Sequence, residues 1–584
     1  MRLAAALSAL ILGALAVAAG TVRAQVAPDR VVAWRADLDS LVAGVTAKHP
    51  DPFTKVARER FDRRVRGLRD SIPGMDDATV AVRLMQLVAS IGDGHSRLGP
   101  GRLGGFDRWF PLRLYRFSDG LFVTAIARDQ ERLLGARVER IGRLSADSAA
   151  AAALSVYGVD NAMGAAEGVF YLSSVPVMHS LGVTASRDTL GLELRLPSGE
   201  RATVQLAADS GRASIAWAQW GEMFGPIFPD SAALTTPFGG IAPLAYRTEA
   251  ADRPLHLRFR SRWRYWLLPQ RDMAYFQLNF MLDSDAAPFE PFVHEMFRAI
   301  DSAGVGRMVV DIRYNGGGDG TMARAIVHEL IKRDTSINRP GRLFVLVGRK
   351  TFSAGIGLLE AIIDHTSAVL VGEPAGAPLN HFGDPTTSTL PYSGMPLSVS
   401  TRYWQFSTSD DRSTMIGIHV PAPFAAEQWF AGQDPALEAI ERGEAVPFPL
   451  MLGEQGGSAA LNRYDRMRAR VGSAASWWQP WDHRTMRRMG DSLLTLSRDD
   501  ARAAYELNVR HFPCEWRSWD SYGEGSLAAA DSGAALTAFR RALALEPDNW
   551  NNTRQRQALS TLARATPRRV SGDTVQCGSR DGTG

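Results

Sequence analysis

A chain of 584 residues is too long for one hydrophobic core and calls for roughly three or four domains. Hydrophobic residues make up 45% and charged residues 22%, which excludes a disordered chain and fits a globular one. The formal net charge is only +4, with Arg2 and Arg23 contributing from the extreme N-terminus, so there is no basic footprint for nucleic acid.

Residues 1–24 have the form of a signal peptide: one Arg2, an apolar run from Leu3 to Gly20, and Val22-Arg23-Ala24 before a cleavage point at Gln25. An exported protein, periplasmic or secreted, is expected. An uncleaved anchor is the competing reading; no later stretch is apolar enough to cross a bilayer, so no stable span is expected after cleavage. Residues 25–100 read as a helical domain. Trp34, Leu38, Leu41 and Val42 share one face, and the segment closes on Gly92-Asp93-Gly94-His95-Ser96. Residues 101–208 change to short strands separated by turn residues. Within them Leu134 to Gly142, followed by an alanine-rich helix, resembles the second half of a PDZ-like β-rich module, with a peptide sensor and a structural spacer both open as its role. Residues 209–254, rich in Pro, Gly and Ala, read as a linker or flap.

Residues 255–445 alternate strand and helix, the pattern of an α/β core with a parallel sheet and right-handed crossovers. Residues 446–489 read as a linker. In residues 490–584, Ala501, Tyr505 and Pro513 recur 34 residues later as Ala535, Phe539 and Pro547, the tetratricopeptide period. A tetratricopeptide-like helical tail is therefore expected, with a protein partner or the core itself as its docking surface. Cys514 and Cys577 are the only cysteines, and in an exported chain either a disulfide or two thiols fits. The fold class expected is thus multidomain α/β: helical bundle, PDZ-like module, parallel-sheet core and helical tail.

Two apolar runs carry the chemistry. Met308-Val309-Val310-Asp311-Ile312 runs into Asn315-Gly316-Gly317-Gly318, and Leu343 to Gly348 runs into Arg349-Lys350-Thr351-Phe352-Ser353-Ala354-Gly355. Parallel strands ending side by side place both turns at one edge, where ligands bind. Glycine backbone can approach a reacting atom closely, and Ser353 sits on a strand-to-helix turn above a helix dipole. A plain helix N-cap is the competing reading for Ser353.

These two stretches, together with Val371-Gly372-Glu373-Pro374, resemble the core of the tail-specific protease family, which includes the C-terminal processing peptidases and the tricorn protease core. The resemblance spans about Tyr275 to Ala436 and implies a serine peptidase acting on peptides or unfolded chain ends. By matching position it implies Ser353 as nucleophile and the N–H groups of Gly317 and Ala354 as oxyanion donors. The family's processing peptidases carry a lysine after Gly-Glu, but here Gly372-Glu373-Pro374-Ala375-Gly376-Ala377 holds none, and Lys350, three residues before the serine on a strand, is expected to point elsewhere. Gly92-Asp93-Gly94-His95 resembles the family's Asp-x-His motif and implies His95 as base, with a pKa suited to the task; His381 is the runner-up. The acid is open between Asp410, Asp411 and Asp93, because the family's Pro-Asp after the last core strand is missing. No cofactor is expected, and no metal either, since the histidines and carboxylates never fall at paired ligand spacings. Two other readings stay open: a non-catalytic peptide- or ligand-binding protein on the same fold, and an esterase using the same site.

Overall fold

The computed structural model describes residues 29–565, except 102, 211–243, 246–253, 258–261, 284–287 and 410. The leader, most of the expected flap, Asp410 and Cys577 lie outside the described residues. Cys514 is disulfide-bonded.

The N-terminal helices α1 (Arg30–Lys48), α2 (Arg58–Ser71) and α3 (Asp77–Ala89) form where the periodicity places them. Asp29 caps the first by accepting from Val31 N and Val32 N, and Asp76 caps the third by accepting from Thr79 N. Strand β1 (Arg97–Leu98) follows. Next come β2 (Leu112–Phe117), β3 (Gly120–Ala127), β4 (Arg137–Ile141), helix α4 (Ala146–Leu154), β5 (Thr189–Arg195) and β6 (Arg201–Ala207). These strands form one antiparallel sheet, whose far edge is Leu244–Ala245 beside β3. One apolar cluster runs through both regions, from Trp34 and Leu84 to Phe110 and Leu190, so the boundary expected at residue 100 divides a single core.

The central sheet has six strands: β7 (Trp263–Leu268), β8 (Met273–Leu278), β9 (Arg307–Asp311), β10 (Leu343–Val347), β11 (Val369–Gly372) and β14 (Val420–Pro421), adjacent in that order. Between β11 and β14 the chain makes a long hairpin, β12 (His381–Thr389) and β13 (Pro396–Trp404). Every central pairing is parallel except β7 with β8. Strands β8, β10 and β11 are buried on both faces, which explains their unbroken apolar sequence. Helices α5 (Phe289–Ala303), α6 (Ala323–Ile331) and α7 (Ala354–His365) make the crossovers. Asp311 stands beside Leu346 in register, so the two motif strands do end together. Past β14, α8 (Pro435–Glu441) packs on the other face of the sheet.

The hairpin β12–β13 reaches back to the N-terminal region. Its Leu397 and Val399 join the N-terminal core, and its Ser398 pairs with Arg97 of β1. This contact brings His95 and Ser353 to the same end of the molecule.

Residues 446–489 are not a linker. They fold into α9 (Phe448–Gln455), α10 (Gly457–Val471) and the start of α11 (His483–Leu493). Phe448, Leu452, Tyr464, Trp478 and Trp481 bury together with Met486 and Tyr505, forming a core that continues into the tail. The tail adds α12 (Arg498–His511), α13 (Trp516–Ala528), α14 (Ser532–Leu545) and α15 (Asn552–Ala565). The glycine at 523 is needed for packing: a Cβ there would stand 2.6 Å from the Phe539 ring. No helix among the described residues is long and apolar enough to cross a membrane.

Candidate active site

Ser353 precedes the first residue of α7 with φ 54° and ψ −127°, a conformation that costs a non-glycine residue of order 1–3 kcal/mol. Its side chain makes no capping hydrogen bond, so the ordinary N-cap reading does not describe it. The surroundings hold the strain in place. Phe352 N donates to Asn315 O at 2.9 Å, and Thr351 Oγ1 donates to Ile312 O at 2.8 Å, tying this turn to the glycine loop. A Cβ on Gly355 would lie 2.8 Å from Asn315 O, and one on Gly376 would lie 2.4 Å from Arg349 O. Small residues here are a steric requirement.

Gly317 has φ +104°, and a Cβ on it would meet Ser353 Cβ at 2.6 Å and Ala354 N at 3.0 Å. The glycine backbone therefore lies directly against the serine and the first N–H of α7. The Gly317 N–H donates to Asn315 Oδ1 at 2.9 Å. To serve an oxyanion it must leave that partner, whereas Ala354 N–H and Gly318 N–H donate to nothing among the described residues.

Below this loop lies a buried ion cluster. Arg313 bonds Asp311 through Nε (3.1 Å) and Nη2 (2.8 Å), and Asp434 through Nη1 (3.0 Å) and Nη2 (2.8 Å). Tyr275 donates to Asp311, and His256 Nδ1 lies 3.0 Å from Asp434. Asp311 thus pairs with Arg313.

His95 is placed by Asp93, not by its own ring. Asp93 accepts from His95 N at 2.9 Å, Ser96 Oγ at 2.5 Å, Ser400 Oγ at 2.6 Å and His49 Nε2 at 3.2 Å. His49 Nδ1 accepts from Asp51 N at 3.1 Å, which leaves its proton on Nε2 to face Asp93. Burial alone would raise the Asp93 pKa, but these bonds hold it well below the usual carboxylate range. The His95 ring, 9% exposed, stacks on Phe352 at 4.3 Å and 23°, and lies parallel to His381 at 5.9 Å. No side chain bonds either of its nitrogens. Burial pushes its pKa down to about 4, with the Asp93 charge opposing. The ring is therefore neutral and able to accept a proton at any ordinary pH.

His381 is also buried, and burial lowers its pKa. Its Nδ1 lies 3.0 Å from Pro378 O and 3.1 Å from Leu379 O, so that nitrogen is the donor and Nε2 the acceptor. Lys350 pairs with Glu167 at 2.8 Å inside the cleft. Of the three carboxylates considered, Asp411 accepts from Ser413 N at 2.8 Å in a local turn, and Asp93 serves the His95 backbone.

The residue that sequence reasoning passed over is Asp160. One oxygen of Asp160, one of Asp93 and one nitrogen of His95 all lie within 4.8 Å of each other. Gly94 N donates to Asp160 Oδ2 at 3.1 Å, and Lys55 Nζ approaches Oδ1 at 3.8 Å. Burial and the Asp93 charge push the Asp160 carboxyl up to about 7, Lys55 opposing. The trio has the donor types of a metal site, but Asp93 already accepts four hydrogen bonds and a lysine faces Asp160. Gly158, two residues before it, packs so closely that a Cβ there would stand 2.5 Å from Asp93 O. Next to it, Asn161 Nδ2 donates to Ala375 O (3.0 Å) and Thr414 O (3.1 Å), docking the β-rich region on the central sheet. Between them a cleft of about 270 Å³ opens, lined by Tyr157, Asp160, Glu167, Gly316 and Phe352.

No protein-family model and no curated protein matches the sequence. Among solved structures, mature CPAF superposes with a TM-score of 0.48 at 12% identity, over 73% of this chain and 99% of that one. The photosystem II D1 C-terminal processing protease superposes at 0.30 and 16%, over 69% and 98%. The tricorn protease does so at 0.31 and 12%, over 71% of this chain and 37% of that one. These superpositions are partial, and the chemistry is carried by this chain's own residues.

Proposed function

We propose that the protein is a serine peptidase of the tail-specific type that cleaves peptides or unfolded chain ends. The observation that carries this reading is Ser353: a strained, uncapped serine at a helix start, with glycine backbone against its Cβ. Strain of this kind is retained where it aims a nucleophile. Ser353 Oγ attacks the peptide carbonyl, and the oxyanion is met by Ala354 N–H with help from Gly317 or Gly318 N–H. His95 takes the serine proton and returns it to the leaving amine; water then releases the acyl group by the same route. The ring stacks on Phe352, the neighbour of the nucleophile, and catalytic hydrogen bonds of this kind often tighten only in the complex with substrate. The apolar leader supports action outside the cytoplasm, and the helical repeat supports a tetratricopeptide-like tail that holds a protein partner.

The test is hydrolysis of an unstructured peptide by purified mature protein. Turnover that disappears in Ser353→Ala, with an unchanged circular dichroism spectrum, supports the enzyme. A folded wild type that binds the peptide without cleaving it supports the non-catalytic reading, and cleavage of esters alone supports the esterase. His381 is the alternative base, favoured by the acceptor character of its Nε2.

A further inference from the structure

A second cavity, of about 510 Å³, lies between the end of β14, helix α8 and helix α10 and shares no lining residue with the cleft. Its walls carry Arg442, Arg463, Arg466 and Arg470 against one acid, Glu444. Arg463, Arg466 and Arg470 are spaced three and four apart on α10, so they share one face and repel one another there. Glu444 lies 3.1 Å from Arg442 and 3.8 Å from Arg470, and Arg442 also pairs with Glu438 at 3.0 Å. The one acid is thus committed to the outer pair.

Arg463 is the informative member. It is 7% exposed, and no carboxylate lies within ion-pair distance among the described residues. Its guanidinium stacks on Phe448 at 4.9 Å and donates to Glu444 O and weakly to Met451 Sδ. Burial lowers its pKa, Glu444 opposing and the like charge of Arg466 adding to the effect. A buried guanidinium without a carboxylate is costly to hold, and its planar fork fits a carboxylate or phosphate. Apart from Gln428, the rest of the wall offers apolar side chains, among them Met467, Val471, Val420 and Pro421. We propose that this cavity binds a small ligand joining an oxyanion head, carboxylate or phosphate, to an apolar body. The head sits between Arg463 and Arg466, and the body lies along Met467 and Val420.

The test uses calorimetric titration of the full mature chain with octanoate, octyl phosphate and octanol, below their aggregation limits. Octanoate or octyl phosphate should bind while octanol binds at least tenfold more weakly, and whichever anion is tighter identifies the head group. Arg466→Gln, an exposed change, should weaken anion binding about tenfold, the usual worth of one charge-assisted bond. Met467→Glu should abolish it. Arg463→Met is judged only if its melting curve shows that it folds. Equal binding of octanol and octanoate, no anion binding in the millimolar range, or anion binding unchanged in both Arg466→Gln and Met467→Glu overturns the proposal.

Discussion

The turn that carries Ser353 and the loop that carries His95 are built by opposite means. The serine turn is held by neighbours from two contiguous motifs, through backbone contacts and glycines that admit no side chain. The histidine loop is held by one buried carboxylate, Asp93, whose donors come from His49 and from Ser400, far apart in the chain. The first gives a serine locked in one backbone conformation; the second gives a ring whose nitrogens no side chain bonds. A peptidase needs both, one rigid and one able to hand a proton across.

The largest effect should come from the serine. Ser353→Ala should reduce peptide turnover to background without the loss of about 1 kcal/mol that removal of an N-cap brings, because this side chain caps nothing. Ser353→Gly should be equally inactive yet raise stability by about 1 kcal/mol, since relief of a positive-φ strain of order 1–3 kcal/mol outweighs glycine's entropy cost. Urea unfolding of the three proteins side by side checks both. A glycine variant less stable than wild type would mean the turn is not strained.

On the other side of the comparison, His95→Ala should lower kcat by on the order of 10² to 10⁴ with stability nearly unchanged. Asp93→Ala should lower both: activity because the loop loses its anchor, and stability by about 3 kcal/mol because buried donors on His49, Ser96 and Ser400 lose their acceptor. Equal stability losses for the two variants would put the two residues in one structural role. His381→Ala and Lys350→Met should each keep activity within tenfold of wild type. A collapse in either one, with His95→Ala still active, would transfer the base to it.

The pH profile separates the same groups more finely. Burial holds His95 near 4, so the main fall in kcat/KM should come as pH drops through about 4, where the ring gains the proton that blocks it. A second, smaller inflection should appear near 7, where Asp160 ionises beside the ring, and Asp160→Asn should remove it while leaving the acid limb in place. An acid limb at the free-histidine value, in wild type and Asp160→Asn alike, would contradict the burial of the ring.

Legibility followed the same division. The sheet could be read because β8, β10 and β11 are apolar throughout, and the nucleophile turn because its steric demands are written in adjacent glycines. Asp160 could not, since nothing near it in the chain shows that it folds against Gly94. The helices of residues 446–489 were hidden because their apolar positions, Phe448, Leu452 and Tyr464, fall on two short segments that break at Gly456, which has φ 82°. Their packing becomes visible only with Trp478 and Tyr505 beside them. Asp434, which joins Arg313 in the buried ion cluster, comes 121 residues later in the chain, beyond reach of any local pattern.

The most direct measurement is the intact mass of folded protein after exposure to a fluorophosphonate, followed by mapping of the adduct. The account predicts a single adduct on Ser353, lost in Ser353→Ala and formed at least a hundredfold more slowly in His95→Ala. No adduct on the folded wild-type protein, or an adduct on another residue, would contradict it.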